Sequence, residues 1–374
     1  MNPAAVMLRG TMVDPEPRLE RVARFLVSCQ WDVTVVAWDR TSALPRDELR
    51  DGFVIHRIPI CANFGSGIRT LFSLLNWQWR LFDWLFTNRK HFQIIHAADF
   101  DTVIPACIIS AFCKKRLIYD IYDFYADSRL VPSALKPLIR DCEIWFMEKA
   151  DVVIVADESR VDQIRGGKPR RIECIYNTPD INEIELPDQS SDAYAFRVAY
   201  VGILSLSRGL EELVDVVLHH SDWRLDMAGF GLDEPILLTK INHADNIIFH
   251  GRISYSAAMD LYSRANVLVA TYDPQIKNHR FSSPNKVFEA MALGKPIIVA
   301  KDTGVDKLVG QMSLGEVVEY GDLQSLEKAL YDVSMWGSST RRDFSRHARI
   351  VYETHFSWNN MQTRLKSIYE DLLQ

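Results

Sequence analysis

Between Phe281 and Ala300 the chain reads FSSPNKVFEAMALGKPIIVA, a run in which a polar start precedes an amphipathic helix, a glycine stop and an apolar strand. Ser283 reads as a helix N-cap, Pro284 suits the first turn, Lys286 lies beside them, and Gly294 with Pro296 ends the helix. A helix N-terminus offers unpaired backbone N–H groups to a phosphate, and a neighbouring lysine adds positive charge. Ordinary capping accounts for the same residue types. Glu289 is different, because it interrupts VFEAMAL where a small or apolar side chain would pack more cheaply. A carboxylate there could bind sugar hydroxyls, unless it merely faces solvent.

A second cluster lies upstream. Gly202 follows the strand-like RVAYV and opens GILSLSRGLEELV, with Arg208 and Gly209 leading into the next helical pattern. Glycine permits close backbone approach, and an arginine fork donates paired hydrogen bonds to a pyrophosphate. A plain βα turn with a surface arginine fits too. Gly229 and Gly231 in LDMAGFG form another strand-ending turn, but a GxG lacking the third glycine at dinucleotide spacing is a weak nicotinamide-cofactor signal.

Strands and helices that position these groups alternate along nearly the whole chain. Strands are expected at Val33–Trp38, Phe53–Ile58, Gln93–Ala97, Arg116–Ile121, Asp151–Ala156 and Ile172–Ile175, with helices at Pro17–Cys29, Thr102–Phe112, Ala134–Lys149 and Glu158–Arg165. Asn177–Asp192 is polar, contains prolines and reads as a linker. Strands then resume at Arg197–Ile203, Arg224–Ala228, Asn246–Phe249, Asn266–Ala270 and Pro296–Val299. Helices fall at Leu210–His219, Tyr255–Arg264, Pro284–Leu293 and Leu323–Val333. The expected fold class is α/β, with two doubly wound, Rossmann-like domains and a cleft between them. The expected bounds are 1–180 and 193–356, with a C-terminal helix at about 357–374 packing back on the first domain.

Composition narrows the class. A chain of 374 residues, 48% hydrophobic, supports two domains of ordinary size, and a net charge of −6 gives no reason to expect nucleic acid. The six cysteines form no CxxC pair and lack zinc-like spacing with histidine, which fits reduced thiols in a cytoplasmic protein. Ala4–Leu8 is too short for a signal h-region, and no stretch reaches the ~20 apolar residues that span a bilayer. Ile68–Phe86 stands apart. On a helix, Arg69, Ser73, Asn76, Arg80, Asp83 and Thr87 form one narrow polar stripe, and Leu, Phe and Trp cover the rest. Packing beneath a sheet, a dimer contact and shallow peripheral insertion into a membrane, with Arg89 and Lys90 meeting anionic head groups, all fit such a helix.

Taken together and in order, these segments resemble the retaining glycosyltransferases of family 4 (glycosyl transferases group 1, GT-B fold). YVGILSLSRGLEELV, LDMAGFG, FHGRISYSAAMDLYSRANVLVATY and SPNKVFEAMALGKPIIVA carry the resemblance in the second half. IIHAADFDTVIPA, LIYDIYDFY, ADVVIVADESRVDQI and YNTPD carry it in the first. The resemblance implies a second domain that binds a nucleotide sugar and a first domain that supplies the acceptor surface. Arg208 and Lys286 match the diphosphate-binding cations. Glu289 matches the second glutamate of the E-x7-E motif, which holds the donor ribose. Gly202, Gly229, Ser283, Pro284 and Asn285 line the donor, and Asp99, Asp120, Tyr122 and Asp123 lie on the acceptor side. Arg208, Lys286 and Asp123 are the implied catalytic groups.

The chain departs from the family pattern at Phe281 in place of the first glutamate, at Ile203 in place of an arginine, and at Tyr122 in place of a histidine. The resemblance implies a hexosyltransferase in polysaccharide biosynthesis that retains the donor's anomeric configuration by front-face attack. Its donor is a UDP- or GDP-sugar and its acceptor a glycan or lipid-linked hydroxyl. No cofactor is implied and no metal is required. The three departures keep two alternatives open, an inactive nucleotide-sugar-binding protein and a GT-B nucleotide-sugar epimerase. Oligomeric state is undetermined by the sequence.

Overall fold

The computed structural model describes residues 2–62, 68–127, 132–180 and 196–374. The chain divides into two compact units, Met1–Ile175 with Gln362–Gln374, and Tyr176–Met361.

The first unit opens with β1 (Ala4–Arg9), α1 (Pro17–Ser28), β2 (Asp32–Asp39), β3 (Asp47–Arg50) and β4 (Phe53–Pro59). It continues through α2 (Ile68–Thr87), β5 (Ile94–Ala98), α3 (Phe100–Cys113), β6 (Arg116–Ile121) and α4 (Lys136–Lys149), ending with β7 (Val152–Val155), α5 (Ser159–Gln163) and β8 (Ile172–Cys174). The sheet order is β3-β4-β2-β1-β5-β6-β7-β8, parallel except for the β3–β4 hairpin. Side chains from the strands, such as Leu8, Val36, Ile95 and Tyr119, pack with Trp77 and Leu81 of α2 in one core.

The second unit carries β9 (Phe196–Ile203), α6 (Leu210–Leu218), β10 (Trp223–Phe230), α7 (Glu234–Ile241) and β11 (Ile247–Phe249). Next come α8 (Tyr255–Arg264), β12 (Val267–Ala270), α9 (Lys277–Arg280), α10 (Asn285–Leu293) and β13 (Ile297–Ala300). The last elements are α11 (Val305–Gln311), β14 (Gly315–Val318), α12 (Leu323–Ser334), α13 (Ser338–Val351) and α14 (Trp358–Asp371), the last returning to the first unit from Gln362 onward. There Tyr369 donates to or accepts from His96 at 2.7 Å, and Arg171 pairs with Asp371 at 2.8 Å. The six-stranded sheet is wholly parallel, in the order β11-β10-β9-β12-β13-β14. Both units are therefore Rossmann-like α/β domains of the kind that make up the GT-B fold.

Three strands escape the sequence reading. β1, taken as a bare apolar segment, lies inside its sheet between β2 and β5. A six-residue strand buried on both faces has no alternation to betray it. β3 is hydrophilic because it is an edge, joined to β4 through Asp51-Gly52, both at positive φ, the turn pair of a tight hairpin. At β14 the backbone of Gly315 runs so near β13 that a Cβ would sit 1.9 Å from the Ile297 carbonyl oxygen. The first unit ends at Ile175, and Tyr176 of the YNTPD run packs on Phe288 of α10 at 5.2 Å. Residues 181–192 of the expected linker lie outside the described residues.

Candidate functional site

In each sheet, strand order reverses once, and the loops at the carboxyl ends of the two strands flanking that reversal part to leave a crevice. In the second unit those strands are β9 and β12. Gly202, near the end of β9, has φ +155° and lies against Gly229 of β10, where a Cβ would meet the Gly202 carbonyl oxygen at 1.7 Å. Two glycines thus let the strand ends close up. Beyond β9 a single 3₁₀ turn, Leu206–Arg208, carries the chain to Gly209 in the left-handed region, where α6 begins.

That turn aims Arg208 at the end of β12. Its Nη1 donates to the Tyr272 hydroxyl at 3.0 Å, its guanidinium lies 4.6 Å from the Tyr272 ring centroid, and its carbonyl accepts from Thr271 Oγ1 at 3.1 Å. Lys286 approaches from the first turn of α10. It is buried, and its Nζ lies 3.5 Å from the Tyr200 ring centroid and 5.8 Å from that of Tyr272. Among the described residues Nζ has no hydrogen-bond partner. Burial and the charge of Arg208 push the Lys286 ammonium well below the ordinary lysine range, against the pull of Glu289. Glu289, buried one turn along the same helix, completes the cluster.

A buried ammonium facing two aromatic rings and a second cation is expensive to leave unpaired. Glu289 supplies the opposing charge within the cluster. Ser283 is not the N-cap expected of it: Pro284 holds that position without a side-chain hydrogen bond, and the buried Ser283 Oγ has no hydrogen-bond partner among the described residues. Proline supplies no N–H and suits a helix start, which displaces the serine by one place. Asn285 is tied to Asn177 at 2.8 Å, and Ile203 is exposed at the strand end. Phe281 closes the short α9, whose His279 packs near Tyr272 at 5.4 Å between ring centroids.

Tyr200 and Tyr272 were not singled out in the sequence. A signal was there, since ATY runs off the end of β12 at the reversal point and RVAYVG puts a tyrosine next to the glycine near the end of β9. Removing the Tyr272 hydroxyl takes away the hydrogen bond that holds Arg208 Nη1 at the end of β12. Tyr272→Phe is expected to weaken binding of inorganic pyrophosphate by about 1 kcal/mol, roughly fivefold, by calorimetry. Unchanged affinity with an intact fold would show that Tyr272 does not orient the arginine.

In the first unit the reversal falls between β1 and β5. Arg9, ending β1, forms an ion pair with Asp99, which follows β5. Asp99 sits at φ 64°, ψ 169°, a region costly for a side-chain-bearing residue, and its Oδ1 accepts from the backbone N–H of Tyr122 at 2.9 Å and of Asp123 at 3.3 Å. Burial raises the Asp99 carboxyl, with Arg9 opposing. The Tyr122 ring lies under two guanidinium groups, Arg9 at 4.3 Å and Arg18 at 4.8 Å. Burial and Asp120 lift its phenol far above the usual tyrosine range, so it serves as a neutral group. Asp123 is exposed and pairs with Arg160 at 3.1 Å.

Asp120 does not belong on an acceptor surface. It is buried, bound by Arg18 at 2.8 Å and His96 at 3.3 Å, and these partners outweigh burial and hold its carboxyl below the usual range. Its oxygens are committed inside the unit. The strand period could not reveal this, because it gives the side-chain face and not the partner waiting there. Arg9, by contrast, is a site residue the sequence reading missed along with β1.

Residues 15–178 match the family described as a glycosyl transferase 4-like domain, and residues 195–334 match the glycosyl transferases group 1. The fold and these two domains define the class: the chain belongs to the glycosyltransferases of the GT-B fold. It is 24% identical over 190 residues to the spore coat protein SA of Bacillus subtilis (strain 168), a stretch covering 46% of this chain and 48% of that protein. The chain thus spans about half the length of this relative. Among solved structures it resembles the sucrose-phosphate synthase of Thermosynechococcus elongatus, with a TM-score of 0.79, 16% identity and 99% of each chain covered. It also resembles Anabaena HepE in complex with UDP and glucose, with a TM-score of 0.70, 16% identity, and 98% and 99% covered.

Proposed function

We propose that this chain is a retaining, family 4 glycosyltransferase that moves a sugar from a UDP- or GDP-sugar to a hydroxyl of a glycan or lipid-linked acceptor. The observation that carries the proposal is the unpartnered, buried Lys286 ammonium beside Arg208 at the sheet's reversal point, with Glu289 one turn away. Two cations on one crevice suit a diphosphate, and a carboxylate spaced along the helix suits the vicinal hydroxyls of a ribose. The complex of the relative HepE with UDP and glucose supports the same ligand class.

As the bond between the sugar's anomeric carbon and the diphosphate breaks, negative charge grows on the leaving oxygen. Arg208 and Lys286 are held where that charge appears, so they stabilise the transition state more than the ground state. The acceptor oxygen attacks the anomeric carbon from the same face, and its proton passes to the departing phosphate oxygen. This route needs no protein nucleophile, and the two cations do the charge neutralisation for which a metal would otherwise be suited. In the first unit, Asp99 and Tyr122 form a rigid neutral-and-paired patch at the reversal point, and the exposed Asp123 is the freest carboxylate to meet an acceptor. The protein acts in the cytoplasm, at the inner face of the cell membrane when its acceptor is lipid-linked.

Calorimetry with UDP, GDP and ADP, followed by product analysis with their sugars, tests the reading. Arg208→Ala and Glu289→Ala are each expected to weaken the preferred nucleotide by about 1.5–3 kcal/mol, roughly 10- to 150-fold. Phe281 in place of the family's first acid favours one second reading, a binder without turnover. Tight nucleotide binding with neither transfer nor isomerisation of the sugar would establish that reading instead.

A further inference from the structure

The connections β4 to β5, β5 to β6 and β6 to β7 all progress in one direction along the first sheet, so right-handed crossovers lay α2, α3 and α4 side by side on one face. Helices in that position bury one side and turn the other to water. α2 meets the first demand with Trp77, Leu81 and Leu85, all fully buried. Its opposite side breaks the rule: Phe72, Leu75, Trp79 and Phe86 recur at helical spacing and are all exposed, Trp79 at 66%. Phe82 bridges them, stacked on Trp79 and on Phe86 at 6.1 Å each.

The neighbouring helices continue the same surface. Phe112 of α3 is 83% exposed, with Ile108 one turn before it, and α4 exposes Leu138 and Trp145. One outward aromatic is unremarkable, but three adjacent helices with apolar outer faces form a patch that monomeric soluble proteins seldom leave bare. Charge indicates what covers it. The three helices run parallel, and their carboxyl ends carry Arg89 and Lys90, then Lys114 and Lys115, the latter also donating to the Phe92 carbonyl at 2.7 Å, then Lys149. One basic helix end answers the helix dipole. Here each end also carries an exposed aromatic, and two of these contact the bases directly: Arg89 lies 4.2 Å over Phe86, and Lys149 5.2 Å over Trp145. This concentration of bases opposes the net charge of −6 on the whole chain.

Aromatic side chains over an apolar band, rimmed by bases, match the depth profile of an anionic membrane surface, where rings settle at the head-group boundary and cations meet phosphates. We propose that the outer face of α2, α3 and α4 docks this protein on an anionic lipid bilayer, with Trp79, Phe86, Phe112 and Trp145 entering the interface and the helix ends gripping lipid phosphates. No helix among the described residues is long and apolar enough to cross a membrane, so the contact is lateral. The inference extends the contact expected of residues 68–86 to two further helices and does not depend on the transfer reaction.

Flotation of the full chain with phosphatidylcholine vesicles, with and without one-third phosphatidylglycerol, tests it. The protein is expected to float with the anionic vesicles, and salt should weaken the association. Trp79→Ser with Phe112→Ser should cut the floated fraction about tenfold, and Lys114→Glu with Lys115→Glu should abolish the preference for anionic lipid. Leu232→Ser, at an exposed apolar site in the other unit, should change nothing. Circular dichroism and UDP affinity, measured on each variant, separate a lost surface from a lost fold. Equal flotation of the Trp79/Phe112 variant would overturn the proposal. So would a wild-type dimer, seen by ultracentrifugation, that this variant converts to monomer without affecting flotation, since the face would then be a self-interface. Flotation without binding of UDP, GDP or ADP would refute the donor site and leave the docking face standing.

Discussion

Lys286→Met is expected to make the protein more stable and to cost it the nucleotide. The ammonium is buried without a hydrogen-bond partner, against Arg208, with only aromatic faces and Glu289 in compensation. Methionine fills the same channel with no charge, so thermal or urea unfolding should show a gain on the order of 2 kcal/mol. The sign of its pH dependence follows from the depressed lysine. Below the folded pKa both states are protonated and the native state bears the whole cost of the buried charge. As pH rises through that value the native state sheds the proton and the cost diminishes. The methionine variant's advantage should therefore be largest at low pH and shrink as pH rises. Over the same substitution, diphosphate affinity should fall by about 1.5–3 kcal/mol, since a charged hydrogen bond is removed. Unchanged nucleotide affinity would remove Lys286 from the site. A loss of stability instead would mean that the ammonium is satisfied within the fold.

Glu143→Gln should flatten the dependence of stability on pH between about 4.5 and 8. Glu143 of α4 is fully buried, and burial pushes its carboxyl up to about 8 although it accepts from the backbone N–H of Tyr125 at 3.1 Å and of Ala126 at 3.2 Å and from the Tyr119 hydroxyl at 3.3 Å. A carboxyl raised from 4.5 binds its proton more tightly in the folded state, so folding takes up a proton throughout that interval. Stability from this group is fully present below pH 4.5 and is lost as pH rises through 8. The separation sets a ceiling of about 5 kcal/mol. Glutamine removes the titration at a cost. The hydroxyl oxygen of a protonated carboxyl still accepts an N–H, whereas an amide nitrogen cannot, so the variant should be about 1–2 kcal/mol weaker at pH 5. Asp101, pushed to about 6 by burial and Asp99, titrates in the same range. The informative quantity is thus the difference between variant and parent at each pH. Parallel curves would show that Glu143 is ionised in the native state at neutral pH.

The proposed donor crevice was legible as a set of motifs because glycine and proline carry their conformational meaning locally. Gly209 and Gly294 mark helix ends, Gly202 sits in the last residues of β9, and all three lie at positive φ. Arg208, Lys286 and Glu289 stood out as charges beside those turns. The residues that complete the crevice did not. Tyr200 lies within β9 and Tyr272 just beyond β12, both in apolar runs, and a tyrosine there is indistinguishable from core until a lysine is seen over its ring. Asp120 shows the converse: its strand-end position invited a ligand role, and Arg18, far away in the chain, consumed it.

Alternating short apolar runs and helical patterns were enough to determine two parallel α/β domains, since strand and helix periods are properties of neighbours along the chain. The segments from Gly202 to Ala300 were enough to gather Arg208, Lys286 and Glu289 as candidates for one site in the second. Tertiary structure alone decided that β1 is central, that Asp120 is a buried counter-ion, that the Lys286 ammonium has no partner, and that the outward sides of α2, α3 and α4 join into one apolar surface. Each of these depends on which distant groups meet. Burial and charge act through space, with strengths set by distance and dielectric environment, and residue order along the chain specifies neither until the sheets have closed.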